Sequence, residues 1–127
     1  YAEFKQGWSG SDNPMARYMN SLPKVVFSQS LESVDWSNAR LTRRPIEEEI
    51  PELKRDADKD LAVFGGARIA HSVIRERLVD EYRLTVHPVM LGDGLSFMRG
   101  LPEPQRFELV SATTYADGCV SKVLQPA

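Results

Sequence analysis

The stretch DLAVFGGARIAHSVIR (60–75) decides the fold. A short apolar run, Leu61 to Phe64, ends in Gly65-Gly66, and an amphipathic pattern starts directly after it. Ile69, Ala70, Val73 and Ile74 share one face at helical spacing, continued by Leu78, while Arg75, Glu76 and Arg77 lie largely on the other. The pattern predicts a strand, a tight turn and a helix, which is the building step of an α/β sheet.

The flanking segments extend that reading in both directions. Upstream, KVVFSQ (24–29) is β-branched and aromatic behind Pro23 and predicts a buried strand, with NARLTR (38–43) as a short second one. WSGSDNP (8–14) reads as a loop in which Asp12 or Asn13 caps a helix and Pro14 takes its first position, where a missing N–H costs nothing. Met15, Tyr18, Met19 and Leu22 then recur at helical spacing until Pro23 stops them. PIEEEIPELKRDAD (45–58) runs from acidic to basic, as a helix dipole prefers, and Pro51 inside it predicts a break or a restart. Downstream, EYRLTVHPVML (81–91) alternates and is rich in β-formers, LGDGL (91–95) is a turn, and 107–126 reads as two strands joined at Ala116-Asp117-Gly118. The expected class is α/β: a mixed sheet flanked by helices and closed by a C-terminal antiparallel hairpin.

Composition sets the limits. With 127 residues the chain is the length of one domain, spanning 1–127, and such a chain buries roughly two-thirds of its unfolded surface. A net charge of −2 gives no basic excess for nucleic acid, and no apolar run approaches a membrane span. One cysteine, Cys119, excludes an internal disulfide framework. No secretory signal opens the chain, which begins YAEFKQ without Met and reads as N-terminally incomplete.

Among candidate sites the Gly65-Gly66 turn leads. Glycines let a backbone approach a ligand closely, and the following helix aims unpaired N–H groups and a positive dipole end at the same place, which suits a pyrophosphate. The run G-G-A-R-I-A lacks the full G-x-G-x-x-G pattern, and no acidic residue follows in the βαβ context that a Rossmann fingerprint requires. A plain tight turn accounts for two glycines equally well. Ser28-Gln29-Ser30 ends the first strand, where open α/β sheets line their ligand crevice, although a polar loop is the simpler account. His71 and His87, the only histidines, have no ligand neighbours at metal spacing, so no metal is expected. Cys119 reads as a small inert strand residue, and the EEE run at 47–49 as a solvated helix start.

Three segments in order, LPKVVFSQSL (22–31), LAVFGGARIAHSVI (61–74) and LVDEYRLTVHPVMLGDGLSFM (78–98), make the chain resemble the C-terminal reductase domains of riboflavin-biosynthesis deaminase–reductases. The third segment is the most specific, and the second is shared with dihydrofolate reductases. The resemblance spans essentially the whole chain and implies a dihydrofolate-reductase-like fold. Tyr1 resembles the tyrosine that ends an earlier family segment, which accounts for the unusual start.

The resemblance implies an NADPH-dependent oxidoreductase. It would pass hydride to a small heterocyclic substrate of pyrimidine or pterin type, as a 5-amino-6-(5-phosphoribosylamino)uracil reductase does. It places Phe64, Gly65, Gly66, Ala67 and Arg68 at the cofactor, with the glycines on its pyrophosphate, and Ser28 and Gln29 near the adenosine ribose and its 2′-phosphate. Relatives often carry a basic residue where Gln29 stands, and that departure weakens charge pairing to a 2′-phosphate. The family's substrate-facing residues come largely from an earlier segment, so no catalytic residue is assigned. A cytoplasmic homodimer with no nucleic-acid or membrane partner is implied. The alternatives are a non-catalytic dimeric member that keeps the fold, or a ligand-binding module without redox chemistry.

Overall fold

Local chemistry accounts for most of the elements, which the computed structural model describes over residues 1–96 and 98–127. The chain divides into two compact units, Tyr1–Gly65 and Gly66–Ala127. Phe97, inside the third resembling segment, lies outside the described residues.

The first unit contains α1 (Ala2–Ser9), α2 (Pro14–Ser21), β1 (Lys24–Phe27), β2 (Ala39–Thr42) and α3 (Ile46–Asp56). Helix α2 starts as its sequence predicts: the Asn13 side chain accepts from the Ala16 N–H at 2.8 Å, and Pro14 occupies the first position. Its buried residues are Ala16 and Met19, whereas Met15 and Tyr18 are exposed, so the apolar stripe expected from spacing is rotated by a residue. Lys24 supplies the C-terminal cap, donating through Nζ to the carbonyls of Met19 at 2.9 Å, Asn20 at 3.2 Å and Leu22 at 2.5 Å. Its ammonium also stands 4.6 Å from the centre of the Trp36 ring, and partial burial lowers its pKa.

Strands β1 and β2 pair in parallel, Lys24 with Ala39 through Phe27 with Thr42. Residues of β1 are half-buried rather than fully buried. Helix α3 runs unbroken through Pro51, correcting the expected break. Pro51 is the sixth helical residue, so it removes only one of the first interior hydrogen bonds. Glu49 is the buried polar anchor of this helix, 3% exposed, and its carboxylate pairs with Arg40 of β2 and, at 2.9 Å, with Arg44.

Helix α1 covers residues expected to precede or open a loop. Its Phe4 ring packs near Trp8, Trp36 and Phe64, with centroids 6.3, 6.2 and 5.9 Å away. Aromatic packing of this kind holds a helix whose own amphipathic pattern is weak.

The expected strand at 61–64 does not form. Leu61, Val63 and Phe64 are exposed, and no strand pairs with them among the described residues. A run of β-formers becomes a strand only when a neighbour takes up its N–H and C=O groups.

The second unit holds α4 (Ala67–Arg75) and a three-stranded antiparallel sheet in the order β3 (Tyr82–Val86), β5 (Val120–Pro126), β4 (Phe107–Thr114). Val73 and Ile74 of α4 are buried. The helix stops before Leu78 in a Schellman turn: Arg77 adopts a φ of 54°, its N–H reaches the Ile74 carbonyl at 3.0 Å, and the Leu78 N–H reaches Val73 at 3.0 Å. Strand β3 ends at Val86, short of the expected 81–91, because Pro88 has no N–H for a ladder. The hairpin forms where Asp117-Gly118 predicts it. The Gly118 N–H reaches the Tyr115 carbonyl at 3.0 Å, the Tyr115 N–H reaches the Cys119 carbonyl at 2.9 Å, and Gly118 has a φ of 84°. One bulge interrupts β4: Leu109 pairs with Leu124 and Ser111 with Val123, leaving Val110 outside the register. Tyr82 and Phe107 meet edge-on at 4.9 Å in the core of this unit.

The α/β class, with parallel pairing in one unit and an antiparallel hairpin at the end, is the one expected. Among the described residues no helix is long and apolar enough to cross a membrane.

Candidate functional site

In the first unit, the ends of two parallel strands bring Ser28 and Gln29 to one place. The Ser28 N–H continues the ladder to the Thr42 carbonyl at 3.2 Å. The Ser28 hydroxyl oxygen then accepts from the backbone N–H groups of Ser30 at 3.3 Å and Leu31 at 3.1 Å, which closes a tight polar turn. Gln29 donates its side-chain amide to the Arg43 carbonyl at 3.0 Å. Arg43 in turn reaches back, and its guanidinium donates to the Leu31 carbonyl at 2.6 Å. The carboxyl ends of parallel strands are where open α/β sheets receive ligands.

Phe64 and Gly65 close the first unit. Gly65 has a φ of 150°, which favours glycine, while the Phe64 ring is largely exposed beside Phe4. Gly66 opens the second unit as the N-cap of α4, with an ordinary φ of −75° and ψ of 176°. A Cβ at Gly66 would meet nothing within 4 Å. Its glycine is therefore not demanded by its own backbone or neighbours, and the open space lies at the helix start. No side chain caps α4, so the N–H groups of Ala67 and Arg68 stand at the positive end of the dipole without a side-chain acceptor.

Other polar groups belong elsewhere. A shallow groove of about 300 Å³ is lined by Tyr1, Ala2, Lys5, Gln6, Ser9 and Asp35. In it the Lys5 ammonium pairs with Asp35 at 2.5 Å, and the Tyr1 hydroxyl donates to Asp35 at 3.1 Å. Hydrogen bonds from Lys5 and then Tyr1 hold the Asp35 carboxyl below its usual range. His71 lies on α4 with Nε2 shielded and without a partner among the described residues. No cluster of three metal-ligating side chains occurs among the described residues.

Spacing in the sequence gives His87 and Cys119 no partner, yet the fold pairs them: the thiol lies 3.2 Å from Nδ1 of His87. Cys119 is 8% exposed, and burial, followed by a hydrogen bond with Asp117, pushes its thiol up in pKa. A protonated buried thiol is a poor nucleophile. The signal that finds this pair is strand register, since 87 and 119 continue the pairing of Val86 with Val120.

Comparison with known proteins adds three findings. The family described as RibD C-terminal domain matches residues 3–121. The uncharacterized protein YyaP of Bacillus subtilis (strain 168) is 31% identical over 113 residues, covering 89% of this chain and 60% of its own length. This chain thus spans less than two-thirds of that relative's length. The crystal structure of a "putative riboflavin biosynthesis protein" from Shewanella sp. PV-4 superposes with a TM-score of 0.79 at 21% identity, over 99% of this chain and 70% of that one.

Proposed function

The chain belongs to the RibD C-terminal domain family, and from that premise we propose that it is an NADPH-dependent reductase acting on a small heterocyclic substrate. The uncapped start of α4 behind a glycine that needs no glycine is the observation that supports this reading most.

Each unit, taken by itself, offers groups that suit one part of the cofactor. In the second unit, the N–H groups of Ala67 and Arg68 and the space at Gly66 suit a pyrophosphate, and the Arg68 guanidinium adds a positive charge nearby in sequence. In the first unit, Ser28 and Gln29 offer polar atoms for the adenosine ribose. Bound NADPH supplies the hydride. The chain's own part is to bind and orient, and orientation alone supplies much of the acceleration such transfers need. The substrate class we infer is a pyrimidine or pterin ring of the ribosylaminopyrimidine kind. The same reading puts the protein in the cytoplasm.

We also infer self-association. Val86, Val89, Leu91 and Leu95 are exposed, and Met90 is fully so, all in the second unit. An apolar surface of this kind marks a protein–protein contact in a dimer. Light scattering at high micromolar concentration is expected to return twice the chain mass, and a monomer mass would refute the dimer.

Isothermal titration with NADPH tests the reductase reading, with binding expected in the micromolar range. Absence of binding at millimolar cofactor would remove it. Binding without oxidation of NADPH by any pyrimidine or pterin would favour the non-catalytic dimer instead.

A further inference from the structure

We propose that the free edge of β4 pairs with β4 of a second copy of this chain, antiparallel about a two-fold axis at Ala112, joining the two three-stranded sheets edge to edge. The inference rests on the reading that the chain self-associates, and it names the strand and the register of that contact.

Strand β4 ends the sheet order β3-β5-β4, so only one of its edges is paired. Edge strands in natural proteins are usually short, charged or covered. This one has eight residues, and every residue from Glu108 to Thr114 is exposed. Leu109 is 59% exposed and Val110 55%, and Glu108 is the one charged residue of the strand.

Backbone bonds show which groups point outward. The Tyr115 N–H reaches the Cys119 carbonyl, so Tyr115, Thr113 and Ser111 turn their N–H and C=O groups toward β5, and Ala112 and Thr114 turn theirs away. Before the Val110 bulge, the Ala127 N–H reaches the Arg106 carbonyl, which turns Glu108 toward β5 and Phe107 and Leu109 away. The register with β5 puts Leu109, Ala112 and Thr114 on one face, opposite Leu124, Lys122 and Val120.

A two-fold pair must match outward groups with outward groups and each face with itself. Centring the pair on Ala112 does both. Ala112 then meets the partner's Ala112, Leu109 the partner's Thr114, Ser111 the partner's Thr113, and Glu108 the partner's Tyr115, with Val110 left out on both strands. Charge favours this register over its neighbours. It brings the exposed Arg106 beside the hairpin turn that carries the partner's Asp117, and does so twice. Centring on Thr113 would set Glu108 against that carboxylate instead, and like charges across a strand pair destabilise it. Centring on Ser111 would leave Arg106 facing the partner's Tyr115, with no opposite charge.

The test combines light scattering with thiol cross-linking on the full chain. Ala112→Pro removes an outward N–H, which an edge strand tolerates, and is expected to give a monomer with unchanged circular dichroism. Arg106→Glu should raise the dimer dissociation constant by about tenfold, and Arg106→Lys should leave it within about threefold. Ala112→Cys should be joined to its copy by a short bismaleimide. Glu108→Cys should not, since in this register it stands roughly 20 Å from its own copy. The unaltered chain, whose Cys119 is buried, serves as the blank. If Ala112→Pro unfolds, Arg106→Glu and the two cysteine variants decide. A dimer unaffected by Arg106→Glu, or cross-linking through Glu108→Cys but not Ala112→Cys, would overturn the pairing and leave self-association through the exposed 86–95 segment. A monomeric unaltered chain would remove the self-association reading, and the pairing with it.

Discussion

The Cys119 thiol and the His87 imidazole lie 3.2 Å apart because they form the next pair beyond the β3–β5 ladder, continuing Val86 opposite Val120. The turn residue Asp117 accepts from the Cys119 N–H at 3.0 Å, and that contact holds the Asp117 carboxyl below its ordinary pKa. The thiol is displaced the other way, chiefly by burial. A group whose folded pKa is raised favours the folded state below its unfolded pKa and loses that contribution as pH rises through the folded value. The thiol's share of stability is therefore full below its ordinary 9.0 and fades above it. Reaction with an aromatic disulfide at pH 8 should be at least about tenfold slower in the folded protein than in urea. Cys119→Ala should flatten the decline in stability above pH 9. Equal reaction rates in the two states would contradict the burial argument.

Gly118 carries two constraints at once. Its φ of 84° suits glycine, and an added Cβ would stand 3.2 Å from Cγ of Pro88. Gly118→Ala should lower unfolding stability by about 1–3 kcal/mol in urea titration. Gly118→Asn should recover part of the backbone cost but not the contact with Pro88.

Glu49 and its arginines should respond asymmetrically. Glu49 is buried, whereas Arg40 and Arg44 remain about half exposed at 52% and 45%. Removing the carboxylate as Glu49→Met leaves two arginines that water can solvate, and should cost under about 1.5 kcal/mol. Removing both arginines leaves a buried carboxylate unpaired and should cost about 3–5 kcal/mol. The reverse order in chemical denaturation would show that Glu49 is not held by charge pairing.

At Gly66 stability and binding should move in opposite directions. Its backbone is already that of an N-cap, and there is room for a side chain. Gly66→Asp should cap α4 and hold or raise stability by a few tenths of a kcal/mol. Its carboxylate should also repel a pyrophosphate and weaken NADPH by about tenfold or more. Gly66→Ala should leave stability within about 0.5 kcal/mol. Unchanged NADPH affinity in Gly66→Asp would separate this turn from the cofactor.

Elements governed by nearest-neighbour chemistry were legible in the sequence. The Asn13-Pro14 cap, the Asp117-Gly118 hairpin and the helix after Gly66 each depend on a few adjacent residues. The run 61–64 has the composition of a strand, but strand formation depends on a neighbour, and composition does not reveal whether one is present. Helix α1 is held by rings distant in sequence, Trp36 and Phe64, and so left no local signature. The candidate site divides in the same way. Gly66 and Ser28 could be read directly, whereas Arg43 joins Gln29 only once β1 and β2 are known to run in parallel.

The bulge at Val110 has a consequence for how this chain tolerates changes of length. Because Leu109 and Ser111 are matched to adjacent residues of β5, the two halves of β4 are indexed to their partner independently. At this bulge, where Val110 is the residue without a β5 partner, a codon could be deleted and both halves would keep their partners and faces. A deletion within either half, away from the bulge, would turn part of the strand inside out.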